Sequence, residues 1–391
     1  MKKTLIIAGV LGAFATAAHA QSSVTLYGSL DAGIIYVNNA GGAHGNWFMG
    51  SGALSNNFFG LRGTEDLGNG NHAIFDLEEG FNVNNGATSG GNFLNGGSGM
   101  FTRQAWVGLQ NDRAGTVKLG RQFDAVYDYL TPFALAGQAG GVNLAGHPYN
   151  NDNISGQYSF ANTIKYSSPL WSGNWGSFDF GATYSFSNSS SFNINRAWSV
   201  GANYTWGPLK VGAAYDQLNA GGATAGGTLS SDAPGVFGAD VQRTYGVGVN
   251  YSYAIAGHGG TVGVLWTHSK SEGSDFFTAG NSPRFDNIEL NGTFGITPAL
   301  AVVGDYTYTW GKGMTGDNGT AKWHSVTLAL DYSLSKRTDV YLAGVYQHAS
   351  GDVATDLNDG SYYNPAGIAG LVPAADSSNQ VGAAVGIRHR F

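Results

Sequence analysis

Strict alternation of apolar and polar residues, held over ten residues or more, restricts this chain to strands with one greasy face. From Val24 to Tyr36 the even positions are apolar or Gly apart from the terminal Tyr36, and the odd positions include Thr25, Ser29 and Asp31. Such a period of two marks a strand whose faces meet different surroundings. Soluble strands usually stop at about five or six residues. A tilted strand crossing a membrane needs about 9–11.

The pattern recurs along the whole chain. Sixteen strands are expected, near 24–37, 57–65, 71–81, 100–110, 116–123, 160–168, 177–186, 197–206, 209–217, 243–253, 260–268, 287–296, 300–309, 323–334, 338–348 and 379–391. Short connections, such as 111–115 and Thr297-Pro298, alternate with long ones rich in Gly, Asn, Ser and Asp, such as 38–56, 82–99, 218–242 and 349–378. Short turns on one side and long loops on the other describe an antiparallel up-and-down meander. An even strand number puts both termini on the short-turn side.

Charge decides what the apolar face meets. In the strands after 177 that face reads, for example, Phe178, Phe180, Ala182, Tyr184 and then Val326, Leu328, Leu330, Tyr332, and no Asp, Glu, Lys or Arg interrupts such runs. The other face carries Asp179, Lys210, Asp216, Glu289, Asp305, Asp331 and Arg388. A Lys or Arg facing lipid at the midplane costs about 2–4 kcal/mol. Tyr184, Trp206, Tyr253, Trp266 and Tyr306 gather toward strand ends, where interfacial girdles belong. A soluble sandwich would have shorter strands, and no fixed-period repeat points to a propeller or β-helix. Only helices or closed barrels satisfy their backbone in lipid. The expected fold is therefore all-β, a 16-stranded antiparallel transmembrane β-barrel.

Composition agrees. Sixty-two Gly would fit disorder, but 9 Trp, 20 Tyr and 21 Phe with only 12% charged residues do not. The absence of Cys removes disulfides and thiolate metal sites. Lys2 and Lys3, an apolar run from Leu5 to Ala17 and the Ala18-His19-Ala20 cleavage pattern predict a signal peptide over 1–20, leaving the barrel to 21–391. The apolar run is too short to span a membrane. The formal charge is −7, and there is no basic cluster, which argues against nucleic acid.

An inward face of Gly, Ser, Thr, Asn and scattered charges makes no dry core, and sixteen strands leave an aqueous channel. The implied function is passive diffusion of small hydrophilic solutes and ions. The longest connection, 123–159, is the candidate for a long third loop folded into the pore. Its carboxylates Asp124 and Asp128, and less strongly Asp152, would face cations on the wall and set a field across the constriction. Tyr127, Tyr129 and Phe133 are candidate loop-three aromatics, either packing the loop or forming a stacking track for a specific solute.

The stretches Ser23–Gly33, Gly60–Gly68, Ala73–Glu78, Arg103–Leu109, Gly115–Gln122, Ile164–Pro169 and Arg388–Phe391 resemble the general, non-specific trimeric porins of Gram-negative outer membranes, betaproteobacterial type. The resemblance covers the whole chain after the leader. It implies a homotrimer in the outer membrane among lipid and lipopolysaccharide, and a third loop within each pore. It also implies a terminal Phe391 read by the outer-membrane assembly machinery. Trimer contacts would fall on Val24, Leu26, Phe59, Leu61, Phe75 and Leu109. By the same resemblance Arg121 and Arg62 are wall arginines; with them, Lys118 and Lys165 are candidate constriction cations opposing Asp124 and Asp128. Parity supports Arg62 but sets Arg121 outward with Val117 and Leu119 unless a bulge at Gly120 turns it inward. Arg103 has the same parity problem and is expected at the outer rim or the subunit interface. The chain departs from the family at Phe58 and Ser159, where basic residues are common, and lacks the loop-three Pro-Glu-Phe-Gly-Gly stretch. Weak or shifted ion selectivity is therefore expected.

Two other readings compete. A barrel enzyme would need a nucleophile beside His268, His324, His348 or His389, and no such motif is present; no cofactor or metal site is expected. A substrate-selective channel would use the loop-three aromatics.

Overall fold

The computed structural model describes residues 23–40, 44–88, 99–138, 142–156, 158–188, 190, 192, 195–219, 239–274, 281–314, 319–355, 362–371 and 377–391. The leader expected at 1–20 lies outside the described residues.

Sixteen long strands close into one antiparallel barrel. They are β1 (Ser23–Asn38), β2 (Phe58–Gly68), β3 (Asn71–Gly80), β4 (Gln104–Asn111), β5 (Gly115–Gln122) and β6 (Phe160–Ser167). Next come β7 (Gly176–Ser185), β8 (Arg196–Trp206), β9 (Leu209–Asn219), β10 (Val241–Ile255) and β11 (His258–Glu272). The last are β12 (Arg284–Gly295), β13 (Leu300–Lys312), β14 (Thr320–Ser333), β15 (Thr338–Gly351) and β16 (Asn379–Arg390). Each pairs with its sequence neighbour. Closure runs through β1, whose first half pairs with β2 (Ser23↔Thr64 to Ser29↔Phe58) and whose second half pairs with β16 (Ser29↔Arg390 to Val37↔Gly382). Gly28 N donates to Phe391 O at 3.2 Å and Phe391 N to Gly28 O at 3.1 Å, stitching the chain end to the first strand.

The tight turns are built by residues that tolerate the left-handed region. Asn69 and Gly70, with φ of 55° and 75°, form the two-residue type of turn that suits a right-twisted hairpin. The outward face is apolar and solvent-exposed: Val24 is 66% accessible, Leu109 64% and Leu328 58%. That exposed apolar band is the surface a bilayer must cover.

The structure departs from the expectation in several places. Gly45–Ser51, inside the long loop expected at 38–56, is a short strand paired with the upper half of β1; its Gly-Asn-Trp-Phe-Met-Gly-Ser run carries no alternation to reveal it. A three-residue strand, Trp171–Gly173, likewise pairs with β7. Strands β11, β12 and β13 run further toward the loops than expected, and there the outward face becomes charged, with Lys270, Arg284 and Lys312; Arg243, within the strand expected at 243–253, also shares the outward parity of Val247. The interior also holds dry patches. Leu54, Val142 and Leu144 from loops pack in one cluster with Val303, Ala329, Ala343 and Val345 of the inner wall. Small apolar wall residues on β13–β15 thus receive loop side chains, and part of the lumen is filled rather than wet.

Candidate pore constriction

The connection 123–159 starts with a short helix α1 (Ala125–Tyr129) and continues as four single 3-10 turns. Asp124 begins it. Its side chain accepts from Tyr127 N at 2.6 Å, a helix N-cap, and from Asn153 Nδ2 at 3.0 Å, which ties the outgoing to the returning limb. Asp124 is wholly buried, and burial pushes its carboxyl up to about 6 against those two hydrogen bonds. This corrects the expectation of a pore charge: Asp124 is a structural cap. Asp152 is also wholly buried and bonds His147.

The loop is fastened to side chains of the inward parity. Ala125 N donates to Ser199 Oγ at 2.9 Å, Asn250 Nδ2 to Pro132 O at 3.2 Å and Asn291 Nδ2 to Phe133 O at 2.7 Å. Glu289 of β12 is the main anchor, accepting from Leu135 N at 2.6 Å and facing His147 Nε2 at 3.2 Å. His147 Nδ1 meets Asp152 Oδ2 at 2.6 Å. Burial alone would lower the His147 pKa, but the two carboxylates outweigh it and raise it to about 10, so both ring nitrogens donate at neutral pH. Burial would raise Asp152; the imidazolium overcomes this and holds it below the usual carboxylate range. Among the expected residues Glu289 was only a polar-face position, and His147 had no sequence signal beyond being a lone loop histidine.

The loop aromatics are packing groups, which removes the stacking track. Tyr127 stacks on Phe123 with centroids 4.1 Å apart. Tyr129 and Phe133 are buried. A Cβ at Gly201 would lie 2.5 Å from Tyr129 Cδ2, and one at Gly248 would lie 2.4 Å from Phe133 Cγ. The wall glycines are therefore seats for the loop rings. Gly248→Val is expected to lift Phe133 off the wall at a cost of about 1–3 kcal/mol; a lower chaotrope midpoint for barrel unfolding checks this, and an unchanged midpoint refutes the seat.

The open wall lies across the lumen on β2–β6. Arg62 stands directly opposite Asp76 in the β2–β3 ladder, and Asp76 opposite Trp106 in the next. Tyr27 Oη donates to Asp76 at 2.5 Å or to Glu78 at 2.8 Å, with Arg62 Cζ 4.7 Å above its ring. Lys118 Nζ lies 4.3 Å over the Trp106 ring, a cation–π contact that also fixes its direction. Lys118 pairs in register with Lys165, whose Nζ meets Asp128 Oδ2 of the loop at 2.5 Å. The structure thus brings Arg62, Lys118, Lys165 and Asp128 together, adding Tyr27, Asp76 and Trp106.

Arg121 behaves differently. Gly120 has φ of 138° and the β5–β6 register shifts between Gly120 and Gln122, so a bulge is present. Arg121 Nη1 donates to Ser159 O at 3.1 Å and Oγ at 3.2 Å, bracing the returning end of the loop. Arg103 is not at the rim, as parity suggested. It is buried, with Nε 3.3 Å from Glu78 Oε2 and its guanidinium 4.8 Å over the Phe58 ring. It precedes the first paired residue of β4, so strand alternation does not govern it.

The four outward histidines bond neighbours at strand ends: His268 to Asp286, His324 to Tyr306, His348 to Asn379 and His389 to Thr338. None of these partners is a serine.

Comparison with known proteins matches this architecture. A family model described as Gram-negative porin covers residues 7–352. An outer membrane porin protein of Bordetella pertussis is 31% identical, over 88% of this chain and 94% of its own length. Outer membrane porin protein 32 of Delftia acidovorans is 30% identical over the full length of both. The solved anion-selective porin from Comamonas acidovorans superposes with a TM-score of 0.70 at 23% identity, covering 95% of this chain and 100% of that one. A closed 16-stranded barrel with a charged inner wall, matched over nine-tenths of its length by named porins, places this chain in the Gram-negative porin family.

Proposed function

We propose that the chain works as a water-filled channel of the Gram-negative outer membrane, through which small hydrophilic solutes and ions diffuse passively. The observation that carries this is the division of each strand: an exposed apolar face for lipid, and an inner wall with Arg62, Asp76, Lys118 and Asp128. The connection 123–159, fastened at Glu289, narrows the lumen and leaves β2–β6 as the conducting wall. Residues 1–20 are removed on export, and 21–391 form the barrel. Three copies assemble through the apolar outer residues of β1–β4, including Val24, Leu26 and Leu109. Phe391 presents the assembly signal; its backbone pairing with Gly28 joins the end of β16 to β1.

Selectivity between ions is weak. Asp124 is buried, and Asp128 is neutralised by Lys165, so the loop offers no free acid. On the wall, Arg62 and Lys118 act on Asp76, and Glu78 is paired with Arg103. The solved Comamonas porin is described as anion-selective; here the near-balance of wall charge points to a small preference only.

Planar-bilayer recording of the purified protein tests the reading. Conductance steps that appear and close in groups of three are expected. Absence of conductance refutes the channel, and isolated single steps refute the trimer.

A further inference from the structure

The inner wall beneath the head of the loop 123–159 holds a carboxylate without a counter-charge. Asp216 of β9 has the inward parity of Ala214 and Leu218 and is buried. Its ladder partners are Ser199 of β8 and Thr244 of β10, with Cα atoms about 4.5–5.5 Å away. The backbone amide of Gln217 serves the carboxylate, but Oδ1 has no hydrogen-bond partner among the described residues. Apart from residues 1–22, every Lys, Arg and His of the chain is among the described residues, and none acts on Asp216. The charge that does act on it is another acid, Asp124, itself buried. Ala125 N donates to Ser199 Oγ, which seats Asp124 beside the Ser199–Asp216 pair. Burying a carboxylate unpaired is strongly unfavourable, and a second acid beside it adds repulsion.

Neutral oxygens around Asp216 lack partners too. Thr244 Oγ1, Gln242 Oε1 and Tyr158 Oη are buried and make no hydrogen bond among the described residues. Thr244 is the ladder partner of Asp216, and Gln242 follows on the same inward face. The Gln242 amide is fixed by donating to Asn151 O at 3.1 Å, which leaves Oε1 over. The Tyr158 hydroxyl is within electrostatic reach of both Asp124 and Asp216. A proton on Asp216 removes its charge but offers a donor to only one of these oxygens. A water offers donors and leaves the charge. A cation answers both needs. The donors are carboxylate, hydroxyl, phenol and amide oxygens, with no imidazole or sulfur among them, and such a set suits a hard ion. Calcium takes about 6–8 oxygens in irregular geometry, and its two charges match two carboxylates.

We propose that Asp216, with Thr244, Gln242 and Tyr158, binds a calcium ion beneath the head of the loop, and that Asp124 supplies the second negative charge. Asp124 opens the outgoing limb of the loop and Tyr158 closes the returning one, so the ion ties both limbs to β9 and β10. Glu289 and His147 fasten the middle of the same loop. Binding here is independent of what crosses the channel.

Because every donor is buried, the ion is loaded as the chain folds. The full chain is refolded into detergent either with a chelator or in about 1 mM Ca²⁺, the upper end of the range for weak calcium modules, and bound calcium is measured by equilibrium dialysis. The wild type holds one more Ca²⁺ per chain than Asp216→Asn, and Ca²⁺ raises the chaotrope midpoint of the wild type but not of the variant. Thr244→Val, which removes one neutral donor, weakens binding about tenfold. Asp305→Asn, at another buried acid four strands away, binds as the wild type does. Equal calcium in the wild type and Asp216→Asn overturns the site. A midpoint that Asp216→Asn raises equally with and without Ca²⁺ assigns a proton to Asp216 and overturns the ion. Should Asp216→Asn fail to refold, Thr244→Val decides, since undiminished calcium binding in that variant overturns the site.

Discussion

Glu289→Ala lowers the stability of the barrel interior by about 3–5 kcal/mol, the cost of breaking a buried ion pair by removing one partner. The size follows from what this carboxylate holds. It accepts from Leu135 N and from Asn291 Nδ2, both at 2.6 Å, and faces His147, with every participant buried. Truncation leaves the Leu135 amide and the Nε2–H of the His147 imidazolium without acceptors in a space water does not reach. The loop loosens, so protease sites within 123–159 open in the variant and single-channel current becomes noisier. Acidity supplies an independent check on the wild type. The His147 pKa rises from 6.5 unfolded to about 10 folded, so its contribution is complete below pH 6.5 and is lost as pH climbs toward 10. Asp152, depressed below 3.8, contributes above that value and loses its effect as pH falls further. The anchor is therefore strongest between about pH 4 and 6.5. Denaturation midpoints measured at pH 6 and pH 10 should fall with pH in the wild type and differ less in Glu289→Ala, where Asp152 alone still faces the His147 ring. Parallel pH profiles for the two proteins would sink the assignment.

The barrel was legible because its cause is local: alternation is written residue by residue, and lipid tolerates no charge to obscure it. Where a neighbour other than the next strand decides conformation, sequence reading stopped. Gly45–Ser51 forms a strand because β1 offers it an unused edge, not because its residues alternate. Arg103 defied parity since it enters the barrel before pairing begins, drawn by Glu78 and the Phe58 ring. The candidate site divided along the same line. Arg62, Lys118 and Lys165 sit in regular strands, and their facing followed from counting. Asp124 and Asp128 are four residues apart in one loop, chemically identical, and have opposite fates: one is a buried cap, the other a partly exposed partner of Lys165. Only the fold of the loop separates them. The outward charges at the loop ends of β11–β13, Lys270, Arg284 and Lys312, were hidden for a simpler reason: these strands run past the bounds that alternation of apolar and polar residues sets.

Reversing two wall cations, in Arg62→Glu/Lys118→Glu, turns a nearly unselective pore into one that prefers cations. A unit charge about 4 Å from a passing ion changes its energy by about 1 kcal/mol in water, roughly a fivefold change in occupancy, and the double variant replaces two attractive sites for anions by two repulsive ones. The permeability ratio should therefore move by more than fivefold toward cations. Asp128→Asn acts in the opposite sense. It removes the carboxylate 2.5 Å from Lys165 Nζ and leaves that ammonium, in register beside Lys118, as an uncompensated positive charge on the wall. Reversal potentials across a gradient centred near 0.1 M salt resolve both shifts, because the screening length there is about 10 Å and falls to about 3 Å at 1 M. The two variants must move the potential in opposite directions from the wild type, and both displacements must shrink in concentrated salt. If Arg62→Glu/Lys118→Glu leaves the potential where it was, β2–β5 are not the conducting wall and the narrowest passage lies elsewhere in the lumen. If Asp128→Asn moves it toward cations, the Lys165 pair is not what silences the loop carboxylate.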